Sequence, residues 1–233
     1  MRILALDSST KTGSAALLDG ESVVGEYILN VAMTHSERLL PAIERIMADA
    51  GWTGEDLGGI AVTLGPGSFT GLRIGMTTAK ILAYLWNISL AGVPTLDALA
   101  RQGELFAGLV CPLLDARRGE VYGGIYREGR TLKGPLNVPV GELLDCLPPG
   151  EQVLFLGDGA GKYWPIIQGA LGERAVLAPG PNRILRASFV GLLGQEKLIR
   201  GEEEDPMTLT PFYLRRSEAE IKWGRMCDQR TSD

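Results

Sequence analysis

The first half of the chain alternates short apolar runs with longer segments of helical periodicity. The apolar runs predict buried strands at Ile3–Asp7, Ser14–Leu18, Val23–Leu29, Ile60–Leu64 and Ser89–Val93. Apolar residues at helical spacing predict helices at 34–50, Thr70–Trp86 and Thr95–Leu105. The resulting order, β-β-β-α-β-α-β-α, is typical of a mixed α/β sheet with helices on its faces.

The second half repeats the start of the first. Asp115 ends an apolar run as Asp7 does, and Glu128-Gly129 follows the next run as Asp19-Gly20 does. This repeat predicts a duplicated domain, with a first lobe at 1–103, a second lobe at 104–225 and a disordered tail at 226–233. Further predictions are a strand at Val153–Gly157, helices at Gly159–Gln168 and Ile184–Ile199, and a solvated loop at Glu202–Asp205.

The predicted helix at 70–86 carries apolar residues on two sides. One stripe comprises Leu72, Met76, Ala79, Ala83 and Trp86. The other comprises Ile74, Thr78, Ile81 and Leu85, about 200° around the axis at 100° per residue. Because a surface helix needs a single apolar stripe, this helix should be covered on both sides. Either it is sandwiched within its own domain, or one stripe joins the preceding helix in an interface with another subunit.

The bulk composition limits the classes of function. Of 233 residues, 45% are hydrophobic and 22% charged, which suits one large globular domain or two small ones. The net charge of −5 argues against binding nucleic acid alone, because phosphate binding needs a basic patch. Three scattered cysteines indicate a reducing cytoplasm, and neither a signal peptide nor a membrane span is predicted.

His35 is the only histidine in the chain, which excludes zinc sites built on histidine pairs. We therefore predict no metal site. Ser68 and Cys111 also lack a histidine placed to activate them, so a peptidase is a weak interpretation.

The glycine-rich segment Gly65–Gly71, GPGSFTG, lies between a predicted strand and a predicted helix. Glycines there could let a phosphate approach the backbone at the helix start, through Gly65, Gly67, Ser68, Thr70 and Gly71. The spacing fits neither the dinucleotide fingerprint nor the P-loop. The alternative is a structural turn capped by Ser68 or Thr70.

Three further turns carry polar residues that suit phosphate or partner contacts. The first follows Asp7 and contains Ser8, Ser9 and Thr10, which equally suit an Asx or Ser turn. The second contains Asp115, Arg117 and Arg118, where the arginines are either solvated or contact a nucleotide or partner. The third, Gly157–Lys162, reads either as a nucleotide loop or as a plain turn from strand to helix.

Five segments and a late motif together resemble the bacterial TsaB family, also called YeaZ. They are ILALDSSTKTGSAAL (3–17), THSERLLPAIERI (34–46), VTLGPGSFTGLRIGMTTAKILA (62–83), GVPTLDALA (92–100), LLDARRGEVY (113–122) and PFYLR (211–215). The resemblance spans nearly the whole chain. It implies the two-lobed, ribonuclease H-like fold of actin, hexokinase and Hsp70-type ATPases, in which two hairpins cradle ATP phosphates.

The resemblance also implies a function. TsaB proteins are partners of TsaD, the catalytic subunit that transfers threonylcarbamoyl to adenosine 37 of tRNA, and an ATPase, TsaE, completes the assembly. A cytoplasmic, non-catalytic scaffold is implied, a homodimer when alone, that meets tRNA only through the complex. At most a weak or shared adenine nucleotide with Mg is expected. TsaD-like proteins carry a metal-binding histidine pair, and the corresponding positions here are Thr95 and Leu99.

A partner interface on the first two helices is implied as well. Its residues are Leu39, Ile43, Ile46, Met47, Arg73, Met76, Thr77, Lys80 and Tyr84. We expect part of this surface to be exposed in the monomer and buried by the partner. The alternative function is an active small ATPase or sugar-kinase relative, which needs a working phosphate cleft and a catalytic acid.

Overall fold

The computed structural model describes residues 1–30 and 35–215. Within these residues the strands form two five-stranded sheets. The first contains β1 (Arg2–Asp7), β2 (Gly13–Asp19), β3 (Ser22–Leu29), β4 (Gly59–Gly65) and β5 (Ser89–Pro94), in the order β3-β2-β1-β4-β5. The three leading strands are antiparallel, and β4 and β5 run parallel to β1.

Helices cover the first sheet on both faces. The elements are α1 (His35–Ala50), α2 (Phe69–Trp86), α3 (Thr95–Gln102) and the distant α7 (Ala187–Ile199). α1 packs on β2 and β3, and α2 packs on β4 beside it. α7 returns from the end of the chain to pack on β1, β2, β4 and β5. Both faces of β1 are therefore buried, which explains its unbroken apolar run.

The second sheet repeats the topology of the first. It contains β6 (Leu109–Arg117), β7 (Glu120–Arg127), β8 (Arg130–Pro139), β9 (Val153–Leu156) and β10 (Ala175–Leu177), in the order β10-β9-β6-β7-β8. Its helices are α4 (Val140–Asp145), α5 (Asp158–Lys162) and α6 (Trp164–Leu171). Three antiparallel strands again precede two parallel ones, so the predicted duplication is confirmed.

The sequence pattern predicted the elements of the second lobe less accurately than those of the first. It missed β8, α4 and β10, and it joined α5 and α6 into a single helix. Pro165 lies in the first turn of α6, where it cannot donate the backbone hydrogen bond that a continuous helix needs. α7 begins at Ala187 rather than Ile184, and α3 ends at Gln102 rather than Leu105.

The end of the chain packs on the first lobe, although the prediction assigned it to the second lobe. Besides α7, residues 203–215 run along that lobe, and we call them the C-terminal strap. The backbone N–H of Glu204 donates to the carbonyl of Leu90 at 2.8 Å, and that of Phe212 donates to Leu64 at 2.8 Å. The predicted solvated loop is therefore partly an anchored segment. The predicted tail at 226–233 and Cys227 lie outside the described residues.

The part of the predicted interface that lies on α1 is buried in the monomer. Leu39, Ile43, Ile46 and Met47, together with Met76 of α2, are at most 8% exposed. The four α1 residues pack in one core with apolar residues of β1, β2 and β4, because α1 and α2 lie side by side on that face of the sheet. An apolar stripe on α1 is thus explained within the monomer.

Candidate functional site

The glycine-rich segment folds as a tight turn between β4 and α2. Of the two predicted caps, Ser68 is the one observed: its Oγ accepts from the N–H of Gly71 at 3.2 Å. The N–H of Ser68 donates to the carbonyl of Ser9 at 2.6 Å. A Cβ on Gly67 would lie 2.4 Å from that same carbonyl oxygen. The segment is therefore packed directly against the turn after β1, and its glycine serves that close approach.

Asp7 is fully buried at the end of β1. Its Oδ1 accepts from the N–H of Ser9 at 3.0 Å and from the hydroxyl of Thr63 at 2.9 Å. Ser8 Oγ donates to the carbonyl of Gly71 at 2.8 Å, and Thr10 Oγ1 accepts from the N–H of Thr12 at 3.2 Å. These contacts form an Asx turn and tie it to β4 and α2.

Asp115 occupies the matching position at the end of β6, and its carboxylate is engaged on both oxygens. Lys162 Nζ lies 2.7 Å from Oδ2, while the N–H of Arg117 and the hydroxyl of Tyr163 donate to Oδ1 at 3.0 and 3.2 Å. Desolvation opposes ionisation, but the hydrogen bonds from Lys162 and Arg117 outweigh it. They hold the pKa of Asp115 below its usual value.

Charges of both signs gather around this second turn. Asp158, at the start of α5, accepts from the N–H of Asp115 at 3.0 Å. Desolvation of its carboxylate raises the pKa of Asp158, and the charge of Lys11 on the first turn counteracts it. Arg117 and Arg118 are exposed at the tip, with φ of 64° and 55°. Lys11 of the first turn is therefore close enough to Asp158 for their charges to interact.

The segment Gly157–Lys162 forms the turn from β9 into α5. Gly157 has a φ of 95°, and a Cβ there would lie 2.1 Å from the carbonyl oxygen of Leu113. This position needs glycine for its backbone conformation and for its packing on β6. The contacts account for the glycine without a nucleotide.

The positions predicted to correspond to the histidine pair of TsaD-like proteins are buried. Thr95 and Leu99 on α3 are both 0% exposed and lie in the core. Among residues 1–30 and 35–215 there is no group of three or more His, Cys, Asp or Glu side chains that could hold a metal ion. In the same residues, the helices are too short or too polar to span a bilayer.

The predicted interface residues of α2 outside the core divide into two sets. Arg73 and Lys80 are engaged by the C-terminal strap: Arg73 Nε donates to the Tyr213 hydroxyl at 2.9 Å, and Lys80 Nζ donates to the Leu209 carbonyl at 3.0 Å. Thr77 and Tyr84 are exposed.

Two apolar residues that the predicted interface omitted lie beside Tyr84. Ile81 is 53%, Tyr84 72% and Leu85 67% exposed. We call Thr77, Ile81, Tyr84 and Leu85 the outer face of α2. Ile81 and Leu85 belong to the second apolar stripe of the helix, and that stripe was the signal that could have identified them.

The paired sheets and their turns define a class of protein, the actin- and hexokinase-like ATPase fold. The ROK hexokinase from Thermus thermophilus, at 13% identity, superposes with a TM-score of 0.53 over 86% of this chain and 100% of that chain. At that identity the likeness establishes the fold alone.

The family follows from closer relatives. The family model described as TsaD: tRNA N6-adenosine threonylcarbamoyltransferase matches residues 29–223. The tRNA threonylcarbamoyladenosine biosynthesis protein TsaB of Bacillus subtilis is 39% identical over 96% of this chain and 98% of its own. YeaZ from Pseudomonas aeruginosa, at 28% identity, has a TM-score of 0.75 over 91% and 99% of the two chains. The chain belongs to this family and, within it, to the TsaB (YeaZ) proteins.

Proposed function

We propose that this protein is a non-catalytic subunit in the biosynthesis of threonylcarbamoyladenosine in tRNA, which docks on a TsaD-like catalytic subunit through the outer face of α2. The observation that carries the docking surface is the exposure of Ile81, Tyr84 and Leu85 on adjacent turns of one helix. Exposed apolar groups clustered in this way mark association sites in soluble proteins. A partner helix laid against them would cover the second stripe of α2.

The state of the candidate site supports a non-catalytic role. Asp7 is buried and engaged by the turn that it closes. Asp115 is paired with Lys162, which competes with any cation for the same oxygen. Thr95 and Leu99 cannot supply imidazole ligands. Together these features favour a subunit without transfer chemistry of its own.

The remaining parts of the proposal concern partners and location. The protein acts in the cytoplasm, where a TsaE-like ATPase completes the assembly and tRNA is held through the other subunits. Without its partner, the same apolar face pairs two copies into a homodimer. Any adenine nucleotide with Mg is bound weakly or is shared with the partner, at the charged turn that contains Arg117 and lies beside Lys162 of α5.

A matched pair of substitutions tests the docking surface. Tyr84→Glu places a charge on the outer face of α2, where burial by a partner leaves it desolvated. Ile199→Glu is the control, since Ile199 is 71% exposed at the end of α7, outside that face. We expect both variants to fold and only Tyr84→Glu to lose capture by a TsaD-like subunit. Equal capture of both variants would place the interface elsewhere.

A further inference from the structure

The C-terminal strap is fixed to the first lobe along the length of α2. Leu209 packs against the core of that lobe, and Lys80 Nζ binds its carbonyl. The Tyr213 ring lies 4.6 Å from that of Phe69 at the start of α2. The guanidinium of Arg73 lies 3.9 Å from the centre of the Phe69 ring and also binds the Tyr213 hydroxyl. The strap therefore follows the helix back towards its amino end.

The strap then reaches the glycine-rich turn. Phe212 donates its N–H to the carbonyl of Leu64, the last but one residue of β4. Its own carbonyl oxygen lies so close to Gly65 that a Cβ there would come within 2.3 Å. The chain at this point is in direct contact with the turn that begins α2.

Three residues later the strap crosses to the second lobe. Arg215 Nη1 donates to the carbonyl of Ala116 at 3.2 Å and lies 3.3 Å from the carboxylate of Glu120. Ala116 and Glu120 flank the tip of the β6–β7 hairpin. The side chains of Arg215 and Glu120 are 22% and 34% exposed, so this pair is only partly screened by solvent.

We propose that the C-terminal strap is a clasp between the lobes, which holds the β6–β7 hairpin against the first lobe through Arg215. The two attachment points, at Leu64 and at Ala116, lie at the carboxyl ends of β4 and β6. This is the edge at which the glycine-rich turn and the turns after Asp7 and Asp115 are located. Release of Arg215 frees the second turn to move relative to the first.

The clasp lies apart from the links between the lobes that surround α3. Tyr126 on β7 bonds to Asp97 on α3, and the shared core that includes Val110, Leu114 and Ala98 lies around that connecting helix. The contacts around α3 stay formed when the strap is released, and they act as the hinge between the lobes. The expected motion is therefore local to the edge that carries the turns. The clasp forms within one chain and does not depend on the proposed partner.

Hydrogen exchange of the full chain, followed by mass analysis of peptides, tests the clasp. In Arg215→Ala, amides at 64–71 and 115–121 should exchange about tenfold faster, because local opening sets their exchange rates. Amides of β1 and β9 should keep the wild-type rates. Arg200→Ala is the matched control, since Arg200 also pairs with a glutamate, Glu202, but makes that pair at the end of α7.

A second variant approaches the same contact from the other lobe. Glu120→Gln removes the charge that Arg215 faces and should give the same local pattern of faster exchange. Unchanged exchange at 115–121 in both variants would overturn the proposal. Faster exchange throughout the protein in both variants would also overturn it, because the contact would then support global stability rather than a local clasp.

Discussion

The hydroxyl of Tyr126 donates a 2.7 Å hydrogen bond to the carboxylate of Asp97. Tyr126 lies on β7 of the second lobe, and Asp97 lies in the first turn of α3, which connects the lobes. Burial raises the pKa of Asp97, while the hydrogen bond from Tyr126 lowers it. Burial and the nearby carboxylate also raise the pKa of Tyr126 above its usual range, so the phenol remains a donor.

Tyr126→Phe tests this link. The variant leaves a partly buried carboxylate without its phenol donor, and we expect a loss of about 1–3 kcal/mol in unfolding free energy at neutral pH. The variant should also raise the pKa of Asp97 further above its ordinary value of 3.8.

The sign of the pH dependence follows from that shift. An acid whose pKa is raised on folding binds more protons in the folded state, so its contribution to stability falls as pH rises through that window. The deficit of Tyr126→Phe should therefore be smaller below about pH 3.8 than at pH 7. Chemical denaturation at several pH values measures it, and a deficit independent of pH would contradict the assignment.

Lys162→Met tests the pairing at the second turn. Without the ammonium, the pKa of Asp115 should rise towards its ordinary value, as measured by NMR titration. Because the folded pKa of Asp115 is depressed, the pair stabilises the fold above the ordinary pKa and loses that effect as pH falls through the depressed one. Asp49 is an internal control, since hydrogen bonds from Tyr27 and Arg45 lower its pKa independently. A similar movement of both carboxyls would contradict a specific pairing.

Ile43→Glu and Tyr84→Glu should separate the core of the first lobe from its surface. Ile43 is 3% exposed, so a carboxylate there should cost about 4 kcal/mol or more, or prevent folding. Tyr84→Glu should change stability by no more than about 0.5 kcal/mol, because the side chain is exposed. Thermal and denaturant unfolding of the two variants measures the contrast. Comparable stabilities would show that the α1 stripe is not core.

The sequence predicted β1, β2, β4 and β5 well because their apolar runs reflect burial by neighbours on both faces. It could not distinguish core from interface on α1. The stripe of Ile43 and Met47 has the same period whether it packs on β2 or on another protein. Only the fold shows that the sheet already covers it.

The position of the strap was not predictable, because its contacts join residues far apart in the chain. A backbone hydrogen bond joins Phe212 to Leu64, and a single ion pair joins Arg215 to Glu120. Contacts of this kind leave no periodic signal in the sequence. The motif PFYLR marked the segment as a family feature without indicating what it touches. The sequence also identified Asp7 and Asp115 as turn residues. Their hydrogen bonds, from Thr63 to Asp7 and from Lys162 to Asp115, depend on the packing of other strands and helices and were not predictable.

Reconstituted modification of tRNA tests the central claim most directly. A TsaD-like subunit, a TsaE-like ATPase, tRNA and a threonylcarbamoyl donor are combined with this protein, without it, or with its Asp115→Asn variant. Threonylcarbamoyladenosine is then quantified by mass analysis. If the protein is a non-catalytic subunit, product should form only when the protein is present. The Asp115→Asn variant should then give at least half of the wild-type amount of product. Full modification without the protein, or its loss with an Asp115→Asn variant that still folds and binds the TsaD-like subunit, would contradict the account.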